Sequence, residues 1–422
     1  MRSRSTSMFL VVPATICLAL SCAATPPSEN WVAPAPGSAP AGSPVAAHGQ
    51  LRVVRLPTGE RTENQGIDAG DLGIDADDPG IDAGTPGIDA GGFGIDVGNP
   101  GVDAAAKPAA RSQLVDQHGA LVQLKGVSSQ WLQWESKAYP ESKAGLVYMR
   151  DQWKISAIRA AMGTEQSGGY LDSPAGIKKQ VETMIHNAID LGVYVLVDWH
   201  TEKAVDQQDA SVAFFTEMAT KYGAYPNVIW EPYNEPNRYS WAEIKLYHQA
   251  VVDAIRTVDP DNLIVLGTPN WSQNVDQAAL DPVVGTNLLY TLHFYSCEHG
   301  EWLRTKGNTA MAAGLALFVT EFGATFSDGG LVASQHNYVC EDESQLWFEW
   351  MVQNGISGVA WKFDQCTDSS CILNPSAPLN GPWTDDKLSS DVGGALYARA
   401  LGVSGTAIQG GHGQLVVNWL RQ

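Results

Sequence analysis

The chain has 422 residues, 44% of them hydrophobic, and a formal net charge of −20, enough for one large domain with a sizeable core plus further segments. An acidic surplus of that size repels phosphates, which argues against nucleic acid and against charge-driven binding to anionic membrane surfaces. Its 14 tryptophans are many for this length; indole rings either fill cores or make flat platforms.

The N-terminus reads as an export signal. Arg2 and Arg4 precede an apolar run from Met8 to Leu20, too short to span a membrane and matched to a signal-peptide core. Cys22 follows Leu18-Ala19-Leu20-Ser21, which resembles a bacterial lipoprotein cleavage box with Ala19 where leucine is usual. Residues 1–22 are therefore expected to be a signal peptide, with lipidation of Cys22 anchoring the protein to a membrane; ordinary secretion is the alternative.

From Ala23 to about Ala110 the chain is rich in Pro, Ala, Gly, Ser and Asp, and a seven-residue unit restarts at Gly66, Gly73, Gly80, Gly87, Gly94 and Gly101. One small aliphatic residue per unit does not offset the entropy of ordering the chain, so residues 23–110 are expected to form a disordered acidic spacer. Aspartates seven residues apart do not make the dense cluster of a calcium loop.

The texture changes at about Arg111. Apolar runs at Leu121–Val127, Ile155–Met162, Tyr194–Asp198, Val228–Trp230, Leu263–Gly267, Leu288–Leu292, Leu315–Thr320 and Gly358–Trp361 alternate with helical stretches such as Ile177–Leu191 and Trp241–Val258. Continuous apolar strands with intervening helices predict an α/β fold, a (β/α)8 TIM barrel, over residues 111–404. A doubly wound sheet is the rival, but no Gly-rich phosphate loop follows the first strand. Residues 405–422 remain as a C-terminal tail with no assigned role.

Setting Cys17 and Cys22 aside leaves Cys297, Cys340, Cys366 and Cys371. In an oxidising compartment these suggest two disulfides, with three pairings open. The short local loop favours Cys366–Cys371, with Cys297–Cys340 joining two longer loops; zinc-finger spacing is lacking.

In such a barrel the active site lies at the strand C-termini. Those ends carry Arg159, Asp198 and His200, Asn234 and Glu235, His293 and Tyr295, Glu321, and Trp361. Cleaving a glycosidic bond requires a carboxylic acid to protonate the leaving oxygen and a second carboxylate at the oxocarbenium-like centre. Their environments must differ, so that one is protonated while the other is ionised. Arg159 and Tyr295 would supply positive charge and a hydrogen bond to Glu321, while the working proton cycles on Glu235. Asp198, one layer below His200, is expected to hold a neighbouring polar group rather than touch substrate.

Asn234-Glu235-Pro236 alone would be weak evidence. With Gly126-Val127-Ser128-Ser129, Leu132-Gln133-Trp134, Val197-Asp198-Trp199-His200, Leu266–Gln273, Tyr290–Tyr295 and Leu315–Gly323, residues 115–402 resemble glycoside hydrolase family 5, the bacterial endoglucanase (cellulase) type. The resemblance implies a retaining mechanism with Glu235 as acid/base and Glu321 as nucleophile. It further implies that Arg159 and Tyr295 orient the nucleophile, Asn234 binds the sugar 2-hydroxyl, and His200, His293 and Trp361 shape the subsite at the cleavage point. No metal or organic cofactor is implied.

Two positions depart from the family pattern, Gln130 where a histidine is common and the Lys362–Cys366 loop; both bear on the substrate. Trp134 and Trp271 are expected as partial sugar platforms, with Trp199 and Trp302 left between platform and packing. The expected function is a secreted or surface-bound monomeric endo-β-1,4-glucanase. Mannan or mixed-linkage glucan is the alternative substrate. A non-catalytic glycan-binding barrel is disfavoured by the presence of both glutamates, and an adhesin acting through the repeat is the remaining alternative.

Overall fold

The computed structural model describes residues 31–56, 111–327, 339–366, 369–389 and 411–422. The expected signal peptide, Cys22, the seven-residue repeat and most of the spacer lie outside them. By internal contacts the chain divides after Ala33, and the barrel belongs to the unit that begins at Pro34. Among the described residues no helix is long and apolar enough to cross a membrane.

Among the described residues eleven strands occur in chain order: β1 (Arg52–Leu56), β2 (Arg111–Val115), β3 (Lys125–Ser129), β4 (Ala157–Gly163), β5 (Tyr194–His200), β6 (Val228–Glu231), β7 (Ile264–Leu266), β8 (Leu288–Thr291), β9 (Phe294–Tyr295), β10 (Leu317–Gly323) and β11 (Ser357–Phe363). Strands β3 to β8 pair in sequence order; β10 joins β8, β11 joins β10, and β11 closes onto β3. Every barrel pairing is parallel. The result is the eight-stave closed barrel expected, with β9 extending the sixth stave beside the end of β10. All seven residues of β4, β5, β10 and β11 are buried, as strands covered on both faces must be.

Local chemistry sets the helix ends. Helix Pro174–Leu191 begins with proline in its first turn and stops at Gly192, whose φ of 67° is left-handed; proline preorganises the start and glycine tolerates the cap. Its buried face is Ile177, Val181, Met184, Ile185 and Ala188, at helical spacing. Helix Trp241–Arg256 opens with a reciprocal capping box between Ser240 and Glu243.

Two segments depart from the expected layout. The spacer assigned to 23–110 gives way to ordered structure over its N-terminal part: helix Pro44–His48 leads into β1, which pairs antiparallel with β2. Val45 and Leu51 pack with Leu124, Ala157, Tyr194, Leu263 and Ala316, at or just before the starts of the staves, so this annex covers the barrel's N-terminal end. Tyr194 donates from its hydroxyl to the Gly49 carbonyl at 2.6 Å. Composition concealed this because, among the described residues of that part, Val45 and Leu51 are the buried hydrophobic side chains, and β1 is exposed or half-buried throughout.

The tail also proves to have structure. Residues His412–Arg421 form a helix whose Trp419 is fully buried against Phe322 and Phe348, at 5.1 and 5.4 Å between ring centroids. It occupies the helical layer after the eighth stave.

Candidate active site

Residues at the stave C-termini form one bowl around a single guanidinium. Arg159 on β4 is completely buried. Its Nε and Nη2 donate to the two oxygens of Glu231 at 2.8 and 3.1 Å. Nη2 also reaches Asn234 Oδ1 at 2.7 Å and Asp198 Oδ2 at 2.9 Å. Nη1 donates to Glu321 Oε2 at 3.1 Å and to Ser128 Oγ at 3.3 Å. Burial works against the charge on Arg159, but Asp198, Glu231 and Glu321 outweigh it and hold the guanidinium protonated. Burial pushes Asp198 and Glu231 up, against the pull of Arg159.

Glu321 is held from two sides, with Tyr295 donating from its hydroxyl to Oε1 at 2.6 Å opposite the Arg159 contact to Oε2. Gly323 permits this approach, because a Cβ there would lie 2.6 Å from the Tyr295 ring. Glu235 sits differently. Its side chain retains 18% exposure, and its Oε1 is hydrogen-bonded to His293 Nδ1 at 2.9 Å. Burial first, then the neighbouring Glu202 carboxylate, push the Glu235 carboxyl up to about 8, with Arg159 opposing. Burial also lowers His293 to about 4, leaving its ring neutral between Glu235 and Thr320 Oγ1, the latter at 2.9 Å.

The remaining bowl residues are locked by the same network. His200, lowered to about 3 by burial and Arg159, is hydrogen-bonded through Nδ1 to Asp198 Oδ2 at 2.6 Å; Asp198 thus holds polar neighbours, as its depth in the strand predicted. The Trp361 ring stacks on His200 at 5.3 Å. Because Asn234 Oδ1 accepts from Arg159, its amide nitrogen is turned to His200, 3.4 Å from Nε2.

All eight predicted bowl residues, Arg159, His200, Asn234, Glu235, His293, Tyr295, Glu321 and Trp361, converge. Trp134 and Trp271 are 44% and 42% exposed, on loops after the first and fifth staves, which stand opposite each other in an eight-stave barrel. Trp302 is also exposed. Trp199 is buried against Tyr170 and Phe214, a packing residue. The predicted cysteine pairs are bonded, Cys297 to Cys340 and Cys366 to Cys371.

Sequence reasoning missed Glu231, Trp131 and Glu202. Glu231 pairs in register with Asp198 across β5 and β6, so an acid at the same layer of the next strand was the available signal. Trp131, next to the divergent Gln130, stacks on Trp134 at 4.7 Å and meets the His200 ring edge-on at 4.6 Å. The divergent loop after β11 has a positional role as well: the Asp364 carboxylate accepts from the backbone N–H and hydroxyl of Ser136, tying that loop to the one bearing Trp134.

One donor atom each from Glu235, His293 and Glu321 lies within 4.8 Å of the others, a spacing that a cation could use. The donors are already engaged by Thr320, Tyr295 and the Arg159 guanidinium, whose fixed positive charge opposes a metal there. The same spacing suits two carboxyl groups flanking one glycosidic bond.

The profile of the cellulase family, glycosyl hydrolase family 5, matches residues 115–367. The chain belongs to glycoside hydrolase family 5. Within the family, endoglucanase Z of Dickeya dadantii is 45% identical over 230 residues, covering 54% of this chain and 53% of that protein. An endoglucanase of Clostridium saccharobutylicum is 39% identical over 303 residues, 71% of this chain and 65% of the relative. The chain thus spans about half to two thirds of these relatives' lengths. Among solved structures, the catalytic domain of a Thermobifida fusca endoglucanase in complex with cellotetraose superposes with a TM-score of 0.63 at 28% identity, covering 74% of this chain and 95% of that one.

Proposed function

We propose that the protein is a retaining endo-β-1,4-glucanase, with Glu235 as the acid/base and Glu321 as the nucleophile. The observation that carries this is the carboxyl pair: one oxygen of Glu235 and one of Glu321 lie within 4.8 Å of each other, a close approach that favours the narrow spacing of retaining enzymes over the wider gap that inversion needs to admit a water. Their surroundings differ in the required sense. Glu235 keeps its proton to about pH 8, while Glu321 faces a guanidinium and a phenol.

In the first step Glu321 attacks the anomeric carbon as Glu235 protonates the departing glycosidic oxygen, leaving a glycosyl ester on Glu321. In the second step Glu235, now a carboxylate, removes a proton from water, which attacks the same carbon and releases Glu321. Neutral His293 orients Glu235 through both steps. The Asn234 amide, its flip set by Arg159, presents its N–H2 for the sugar 2-hydroxyl. Exposed Trp134 and Trp271 on opposite sides of the bowl suit a chain running through it, hence internal cleavage. The glucan preference draws on the relatives named endoglucanase and on the cellotetraose complex of a similar barrel.

Export, with Cys22 lipidated, rests on the N-terminal pattern of Arg2, Arg4 and the Met8–Leu20 run. The function is tested by reducing-sugar release from carboxymethyl cellulose, glucomannan, galactomannan, xyloglucan and xylan, by wild type beside Glu235→Gln and Glu321→Gln. Fastest release from carboxymethyl cellulose and loss in both variants are expected; retained activity in both would sink the assignment.

A further inference from the structure

The loop after β7 carries strained backbone beside the bowl. Asn270, Trp271 and Ser272 have φ of 59°, 54° and 55°, three consecutive non-glycine residues in the left-handed region. Each costs about 1–2 kcal/mol, and such strain persists only where the surroundings over-determine it. Here they do. The Ser272 hydroxyl donates to the Asn234 carbonyl at 2.7 Å, the Trp271 N–H to the Pro236 carbonyl at 3.0 Å, and the His293 N–H to the Ser272 carbonyl at 2.9 Å. The backbone of Trp271 is therefore bolted to the segment that bears Glu235.

What aims the ring is a residue from a different stave. Glu202, in the loop after β5, accepts from Trp271 Nε1 on Oε1 at 3.3 Å and from Asn237 Nδ2 on Oε2. Its own backbone is held, because Tyr233 donates from its hydroxyl to the Glu202 carbonyl at 2.8 Å and the Glu235 N–H reaches the Thr201 carbonyl at 3.3 Å. The adjacent Lys203 is occupied elsewhere, 3.0 Å from Glu165, and does not neutralise Glu202.

We propose that Glu202 is a positioning residue for the leaving-group side of the cleft, gripping the Trp271 indole edge and the Asn237 amide beside Glu235. This rests on the assignment of Glu235 as the proton donor. The donor stands over the departing sugar, and Glu235 follows the fourth stave, next to the fifth-stave loop that presents Trp271. A platform whose backbone and ring edge are both fixed seats that sugar without losing further rotamer freedom.

The same carboxylate has an electrostatic consequence. After burial, Glu202 is the largest influence holding the proton on Glu235. The other groups facing Glu235 are Arg159, which opposes, and Asp198 and Glu231, which reinforce, together with His293, Tyr295 and Glu321. Of the acids among them, Glu202 alone is not paired with Arg159.

The test is Glu202→Gln beside Glu202→Leu, each also in a Trp271→Ala background, with kcat and KM for cellopentaose followed against pH. Glutamine keeps both hydrogen bonds, since the Asn237 Oδ1 left unpartnered can accept from its amide after a flip. Glu202→Gln should therefore retain wild-type KM while the alkaline limb of kcat/KM moves to lower pH by about one pH unit. Glu202→Leu should raise KM by roughly fivefold, and that rise should vanish in the Trp271→Ala background, as coupled residues require. The inference is overturned if leucine acts equally with and without Trp271, if glutamine raises KM as much as leucine, or if the alkaline limb stays in place. A wild-type protein inert on cellopentaose would instead overturn the assignment of function on which it rests.

Discussion

His293 Nδ1 lies 2.9 Å from Glu235 Oε1, and the same burial that strips the imidazole of its proton keeps one on the carboxyl. Two titratable groups in contact are thus driven in opposite directions by one low-dielectric environment, because each avoids its charged form. The pair holds a single transferable proton on the residue that faces the cleft, with the neutral histidine braced from behind by Thr320.

Stereochemistry gives the sharpest check of the carboxyl pair. Proton NMR of the first products from a cello-oligosaccharide should show the β-anomer before mutarotation, since two displacements at one carbon restore its configuration. Glu235→Gln should lower kcat/KM by about 10²–10⁴-fold. First appearance of the α-anomer contradicts the assignment of Glu321 as nucleophile.

With the Glu235 carboxyl raised to about 8, the acid form persists through neutral pH. The kcat/KM profile should stay high to about pH 8 and fall above it as the donor is lost, since this parameter reports the free enzyme. An alkaline limb centred near pH 6 would contradict the burial argument.

The same shift sets a stability trend. A carboxyl whose folded value lies above its unfolded one stabilises fully below the unfolded value of ~4.5, and that contribution is lost as pH rises through about 8. Glu235→Gln should therefore gain Tm relative to wild type as pH rises from 4 to 9, by about 2 °C or more. A gap that stays constant with pH would show that the carboxyl carries no such penalty.

No other side chain offers Arg159's combination of fixed charge and planar fork. Arg159→Met leaves Asp198, Glu231 and Glu321 without their shared cation, which should cost about 3–5 kcal/mol by chemical denaturation. Arg159→Lys keeps the charge but lacks the fork that meets Glu231 through two bonds; it should fold and lose most of kcat. A lysine variant with wild-type kcat would show that geometry here is dispensable.

Trp419 ties the C-terminal helix to the barrel. Trp419→Ala should destabilise by about 3–5 kcal/mol, read as a fall in the denaturation midpoint. Because the ring packs on Phe322, next to Glu321 in sequence, kcat should fall as well. Unchanged stability would mean that the helix is a passive appendage.

Most of the site was legible before folding because barrel geometry converts sequence into position. Once eight apolar strands are recognised, the residues near and just beyond the strand ends must face one bowl, which gathers His200, Asn234, Glu235, His293, Tyr295, Glu321 and Trp361; Arg159, third of the seven residues of β4, reaches it from deeper in the barrel. Glu231, the last residue of β6, escaped because the strand end was read at Asn234 and Glu235, three and four residues further on. Trp131 escaped because stacking on Trp134 depends on a loop conformation that carries no periodicity. The annex was hidden by the more than 50 residues that separate Arg52–Leu56 from its partner Arg111–Val115.

The amino-acid order by itself determined the class of chemistry and the fold, since strand periodicity and the residue types at strand ends are local properties that survive without coordinates. Tertiary structure alone decided that burial and Glu202 are what raise the Glu235 carboxyl, how Arg159 divides itself among three acids, and that Glu202 reaches across from the third stave to Trp271 on the fifth. Those outcomes depend on burial and on distances between residues remote in sequence. Such quantities exist only once the barrel has closed.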